Sequence, residues 1–346
     1  MDKFVQKLDF LKSLDVYIGG GSSRFKVIGD KLYYVSSRVH VCMQDKQFVS
    51  FDGLSGKISD VADIMSNCKA VSRKEDVVIF KVGAIKIEYV NVDMNPVVYD
   101  ESAKLFDVKG KAISSLKTSH FTNDVVTDVI EALKKENESF IYLSSLFITE
   151  DSIKVTSPTL YLAYGNKKST KQFVKIPLYV YKVAKLLNEH EFEDSGLFVY
   201  DNFVQLKGND INIICSIETG MYENVVIENV EQAIYGQKYY YFLDGNGFEN
   251  IYDVMSEMIN YVGELFTIEG VDNVNVLKLT GYGANNSIKA EKSIKLENKI
   301  DLKHMLQVNF NKFNLAKAMN VSKVGLSSDN SLIRFSGKSG ELIAVI

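Results

Sequence analysis

Catalysis by this chain would need a constellation of titratable side chains, and the residues that could form one are few. Its four histidines, His40, His120, His190 and His304, stand far apart in sequence. The chain has no His-Glu-x-x-His, no cysteine pair at metal-ligand spacing and no calcium-loop pattern, so no metal centre is expected. Gly-x-Ser-x-Gly, which would mark a nucleophile elbow, is also missing. Glu191, Glu193 and Asp194 cluster in one segment, where a solvated charge run is the default reading. Gly19-Gly20-Gly21-Ser22-Ser23-Arg24 lacks the Gly-Lys-Ser/Thr ending of a phosphate cradle. Gly245-Asn246-Gly247 and Gly281-Tyr282-Gly283 read as turns. The expectation is a protein without catalytic residues, bound metal or cofactor.

Composition bounds what remains. With 346 residues, 46% hydrophobic and 24% charged, the chain can fill the cores of two or three domains. Cys42, Cys68 and Cys215 are too few and too scattered for a disulfide framework, which suits buried thiols in a reducing compartment. No run of eighteen apolar residues exists and the start has no signal-peptide layout, so a cytoplasmic protein that does not enter membranes is expected. A net charge of −4 excludes coating DNA by bulk positive charge. Basic residues gathered on one surface remain compatible with it.

The elements that would position such a surface are best seen from Lys175-Ile176-Pro177-Leu178 onward. An apolar strand end meets a proline that opens a helix, and Val180, Val183, Ala184 and Leu187 fall on one face of it. An alternating meander over 196–200, 203–207 and 211–215 follows, with turn residues at Asp201-Asn202 and Gly208-Asn209-Asp210. Helix-then-strand order also appears before and after. The first block has a helix over 1–14, strands at 24–28, 31–36, 39–43 and 47–51, a helix at 59–66 with Ser59 as cap, and a hairpin over 77–90. The middle block opens with a helix capped by Thr122 and adds strands at 140–148, 152–157 and 160–164. The last has a strand at 239–243, a helix over 247–262, strands at 274–281 and 287–294, a helix over 312–320, and closing strands to Ile346. The segments 94–118 and 221–237 read as connectors. Each block runs helix, strands, helix, strands, which gives an α+β chain of three tandem domains at 1–115, 116–235 and 236–346, each with two helices packed on antiparallel sheets.

This ordered set resembles the bacterial-type DNA polymerase sliding clamp, the processivity ring of replicases. The likeness is strongest where Phe147-Ile148-Thr149-Glu150 and Ile153-Lys154-Val155-Thr156-Ser157 precede Leu160-Tyr161-Leu162-Ala163, then Val174-Lys175-Ile176-Pro177 and an exit at Gly220-Met221-Tyr222. Val308-Asn309-Phe310-Asn311 and the closing Gly340-Glu341-Leu342-Ile343-Ala344-Val345-Ile346 fit the family's last elements. The resemblance implies three clamp domains forming half of a ring, closed by a homodimer around double-stranded DNA that it holds without reading bases. Helices would line the hole, and DNA polymerase and clamp-loader peptides would dock outside.

The same resemblance implies two sites. DNA-facing residues would be Lys3, Lys7, Arg24, Lys134, Lys135, Lys182, Lys185, Lys312 and Lys317. The peptide-binding pocket would be walled by Leu143, Ser157, Thr159, Leu160, Tyr161 and Leu162, with Ser331, Ile343 and Val345. The chain departs from the family where Ser157-Pro158-Thr159-Leu160-Tyr161-Leu162 replaces Thr-Asp-Gly-His-Arg-Leu, and in ending at Ile346 without the usual short tail. The helix over 247–262 carries Glu249, Asp253 and Glu257 but no lysine, against the expected lining. Such divergence suits a phage-encoded clamp in a host cytoplasm. Two other readings stay open: a repetitive β-rich structural or assembly protein, such as a virion component, and an enzyme with an unrecognised site.

Overall fold

The computed structural model describes residues 3–18, 23–91, 104–149, 151–165, 173–190, 192, 195–217, 226–271, 275–297, 302 and 305–346. The glycine run at 19–22, the carboxylates Glu191, Glu193 and Asp194, His304 and the exit at Gly220–Tyr222 lie outside them. In chain order the first elements are α1 (Lys3–Ile18), β1 (Arg24–Ile28), β2 (Lys31–Val35), β3 (Val39–Gln44), β4 (Ser55–Gly56), α2 (Ile58–Asn67), β5 (Ala70–Lys74), β6 (Val77–Val82), β7 (Ile85–Val90) and β8 (Ser114–Lys117). Next come α3 (Asp124–Glu136), α4 (Phe140–Leu143), β9 (Ser145–Ile148), β10 (Ser152–Thr156), β11 (Leu160–Gly165), β12 (Val174–Pro177), α5 (Leu178–Glu189), β13 (Gly196–Val199), β14 (Phe203–Lys207) and β15 (Ile211–Ser216). The last are α6 (Ile227–Tyr235), β16 (Tyr239–Asp244), α7 (Gly245–Met258), β17 (Leu265–Gly270), β18 (Val276–Tyr282), β19 (Lys289–Lys295), β20 (Leu306–Asn309), α8 (Phe310–Lys317), β21 (Val321–Ser327), β22 (Leu332–Gly337) and β23 (Gly340–Val345). The fold is α+β, with helices packed on antiparallel sheets.

Two compact units divide the chain, Met1–Thr122 with Val180–Thr219, and Asn123–Tyr179 with Gly220–Ile346. In the first, an eight-stranded sheet runs β4-β1-β2-β3-β15-β14-β13-β8. Its central seam joins strands distant in sequence, with Val41 opposite Ile213 and Met43 opposite Ile211. Alternation explains the buried face: Phe25, Val27, Leu32, Tyr34, Val39 and Val41 all point into the core. Helix α1 turns Phe4, Leu8, Leu11 and Leu14 inward and packs beside α2. A separate three-stranded sheet runs β5-β6-β7.

The second unit repeats the device. Its eight-stranded sheet runs β12-β9-β10-β11-β23-β22-β21-β16, and its seam sets Tyr161 opposite Ile343 and Leu162 opposite Leu342. A four-stranded sheet, β19-β18-β17-β20, completes it. Phe248 of α7 stacks on Phe313 of α8 at 5.6 Å, and Phe335 of β22 meets Phe313 edge-on at 5.1 Å. All three rings are fully buried.

Several local expectations shift. Residues 47–51, expected as a strand, form a 3-10 turn over Lys46–Phe51 whose Asp45 cap accepts the Gln47 N–H. Both Phe48 and Phe51 are buried; a strand would send them to opposite faces, whereas three residues per turn puts them on one. Helix α2 starts at Ile58, with Lys57 rather than Ser59 at the cap position, because Ile58 is itself fully buried. Asn123 rather than Thr122 caps α3, accepting the Val125 N–H at 3.0 Å. The strand expected over 140–148 begins only at Ser145, since Asn137 accepts from Ser139 and turns the chain into α4. The 221–237 connector contains α6, and 114–117 of the other connector joins a sheet as β8. Gly245-Asn246-Gly247 opens α7 instead of making a free turn, because Asp244 accepts the Gly247 N–H at 2.8 Å. Pro177 closes β12, an edge strand that needs no N–H there, and α5 begins one residue later.

Candidate functional site

Among the described residues no group of three or more His, Cys, Asp or Glu could hold a metal ion. All three cysteines are free, and burial pushes the Cys215 thiol upward, away from the thiolate. Burial lowers His40 and His190 from the ordinary imidazole value, and His190 sits edge-on to the buried Phe10 ring. Cys215 is a core group, and the two histidines are half-buried.

The lysines expected to face DNA separate into three kinds. Lys3, Lys135 and Lys317 are exposed. Lys135 lies 3.5 Å from Glu264 and Lys317 lies 3.9 Å from Glu249, solvated pairs of little energetic weight. Arg24, Lys134, Lys182 and Lys185 are half-buried. Arg24 donates to the Ser23 carbonyl at 2.8 Å, Lys182 lies over the Tyr17 ring at 4.4 Å, and Lys185 is 4.0 Å from Glu189.

Lys7 and Lys312 are buried instead. Lys7 Nζ donates to the Gln44 carbonyl at 2.6 Å and the Asp45 carboxylate at 2.8 Å, with Asp210 at 3.5 Å. Lys312 Nζ lies 2.5 Å from Glu136. Their helical spacing looked like that of surface lysines, but both are interior ion pairs tying α1 to the β3 end and α8 to the α3 end. The acidic face of α7 is real: Glu249, Asp253 and Glu257 are all exposed. Lys317 of α8, which also stacks 3.7 Å from the Tyr252 ring, supplies a positive charge beside it.

The residues expected to wall a pocket are all in the second unit, and the pleat of β11 sorts them. Leu160 and Leu162 are buried, with Ala344 and Leu342 as their cross-strand partners. Tyr161 and Ile343 point to the opposite face from these. Ser157 holds the β10–β11 turn by accepting the Leu160 N–H at 2.9 Å, and the Thr159 hydroxyl donates to Glu136 at 2.8 Å. Leu143, the last residue of α4, is half-buried. Ser331 is exposed and donates to Asp329 at 2.8 Å. Asp329 also accepts from the Ser327 hydroxyl and the Ser331 N–H, and these bonds hold its carboxyl down to about 2. Val345 is 51% exposed and lines an open cavity of about 170 Å³ with Leu265, Val308, Ile333, Phe335 and Ile346.

Tyr161 borders a cavity on that face, and Ile343 is buried beside it. Helix α6 covers them: Ile227, Val230 and Ile234 rest on a cluster with Phe147, Tyr161 and Ile343. The Tyr161 hydroxyl donates to Glu231 at 2.6 Å, and Lys154 pairs with the same carboxylate at 2.7 Å. The Tyr235 hydroxyl donates to Glu341, whose other oxygen accepts from Arg334 at 2.6 Å. The sequence reading missed Glu231, Tyr235, Arg334 and Glu341. The i, i+3, i+7 spacing of Ile227, Val230 and Ile234 was the signal that would have found the helix.

No protein-family sequence profile matches the chain, and no curated protein does. Solved structures match it over nearly its whole length. The DNA polymerase III beta chain of Streptococcus pneumoniae TIGR4 superposes with a TM-score of 0.62 at 12% identity, covering 98% of this chain and 97% of that one. The DNA polymerase sliding clamp of Pseudomonas aeruginosa gives 0.59 at 10% identity, over 99% and 97%. The Helicobacter pylori beta clamp bound to a DNA ligase peptide gives 0.56 at 13%, over 97% and 96%. From end to end, the chain has the fold of these bacterial clamps.

Proposed function

We propose that this chain is a DNA polymerase processivity factor: half of a ring that encircles duplex DNA and tethers a polymerase through a docking face. The observation that carries the proposal is the end-to-end likeness in fold to bacterial clamps, 98% of this chain against 97% of the pneumococcal one. Three clamp domains, 1–115, 116–235 and 236–346, would each supply two helices, α1 with α2, α3 with α5, and α7 with α8. The seams β3–β15 and β11–β23 suit such an arc, because each would continue one domain's sheet into the next and hide an edge. Two copies would close head to tail through the small sheets. The edge strand β7 leaves Ile85 and Val90 exposed, and β19 is an edge of the other small sheet. No step needs a catalytic centre or a cofactor.

Sliding requires weak, base-independent attraction to phosphates. Lys3, Lys135 and Lys317 would supply it with Arg24, Lys134, Lys182 and Lys185, while Lys7 and Lys312 drop out of the set because they are buried. Changing Lys3, Lys135 and Lys317 to Glu is expected to shorten residence on nicked circular duplex about tenfold at low salt, the difference closing as salt rises. Half-lives that match wild type at every salt concentration would remove these three residues from the DNA-facing surface and weaken the ring reading.

A further inference from the structure

Helix α6 lies across the sheet face that carries Tyr161 and Ile343, two of the nine residues assigned to the peptide pocket. Ile227, Val230 and Ile234 form its inner stripe, and Glu228, Asn229, Gln232 and Ala233 are exposed on its outer side. Ile227 is its one buried residue. At nine residues it is shorter than a helix that would persist alone in water, so its order depends on docking. A cavity of about 240 Å³ remains at the contact, lined by Lys154, Tyr161, Ala163, Phe173, Glu231 and Tyr235 among others. The helix thus covers the apolar cluster and leaves a polar-lined opening beside it, where Lys154, Tyr161 and Glu231 meet.

We propose that α6 is a built-in occupant of the docking face, exchanged for a partner segment that carries the same chemistry. That segment has apolar residues at i, i+3 and i+7, as at Ile227, Val230 and Ile234, and a carboxylate at i+4, as at Glu231. The carboxylate is set by what waits beneath it, the Lys154 ammonium and the Tyr161 hydroxyl, both donors that converge on Glu231. A segment apolar throughout would leave both donors without an acceptor. This inference rests on the docking reading above and adds gating to it. A partner meets that face only in the fraction of molecules whose α6 has lifted, so its apparent affinity is reduced by that fraction.

The test uses the full chain and a fluorescein-labelled synthetic peptide of residues 226–237. A Val230→Asp, Ile234→Asp chain, whose own α6 cannot seat, is expected to bind the peptide at least about tenfold tighter than wild type does. A peptide carrying Glu231→Ala is expected to lose about tenfold on that variant. Equal binding by wild type and variant overturns the proposal, as does no binding by a variant with native circular dichroism. Should the variant fail to fold, hydrogen exchange on wild type decides: α6 amides should exchange at least about a hundredfold faster than those of β11. Protection equal to β11 overturns the exchange. Retention on circular DNA, measured on the same proteins, reports the ring alone, so loss of retention with peptide exchange intact overturns the ring reading and not the exchange of α6.

Discussion

Replacing Lys7 by Met is expected to destabilise the folded chain by about 2 kcal/mol, because it removes the buried ammonium whose charge-assisted hydrogen bonds hold the half-buried Asp45 carboxylate. The Lys7 side chain is 4% exposed and holds both the Gln44 carbonyl and the Asp45 carboxylate. Methionine matches the stem but leaves Asp45 facing an apolar atom. Burial alone would raise the Asp45 carboxyl, yet the Lys7 ammonium and the Gln47 N–H outweigh it and hold it below the usual range. A carboxyl depressed in the folded state stabilises above its unfolded value, about 3.9, and loses that contribution as pH falls through its folded value. Urea denaturation should therefore show the full gap between wild type and variant at pH 7 and a shrinking gap below pH of about 4. A gap that is the same at every pH, or none at pH 7, would contradict the buried pair.

The second large effect is expected from Phe313→Ala. Its ring stacks on Phe248 and meets Phe335 edge-on, with no exposure of any of the three. Truncation leaves a cavity that the two flanking rings cannot close, a loss of about 3–5 kcal/mol. For a unit of this size the thermal midpoint should fall by roughly ten degrees. A shift under about two degrees would mean that the α7–α8 contact is not the core it looks to be.

The regular strands were legible because their alternation is one-sided. Phe25 and Val27, Leu32 and Tyr34, and Val39, Val41 and Met43 predict β1, β2 and β3 within a residue or two. The helix after Pro177 was legible for the same reason, although Tyr181 and Leu186 bury more of it than the stripe of four foretold. What failed depended on partners far along the chain. Nothing local tells Lys7 from Lys3; the difference is Asp45, thirty-eight residues on. Lys312 likewise meets Glu136 only once α8 lies against α3. At Gln47–Phe51 the apolar content suggested a strand, and a single aspartate cap with two phenylalanines three apart decided otherwise. Of the proposed docking face, the strand β11 could be placed from its motif. Its cover was missed, because the three apolar positions of α6, though helically spaced, stand among polar residues and read as a connector.

The measurement that bears most directly on the ring is retention on one DNA in two topologies. The chain is loaded on nicked circular duplex, the free protein removed, and half the sample linearised. A topological link predicts a half-life on the circle at least about tenfold longer than on the linear form, with the loss occurring at the free ends. Equal half-lives on both would mean that the protein grips DNA by contact alone, and the encircling clamp would be wrong.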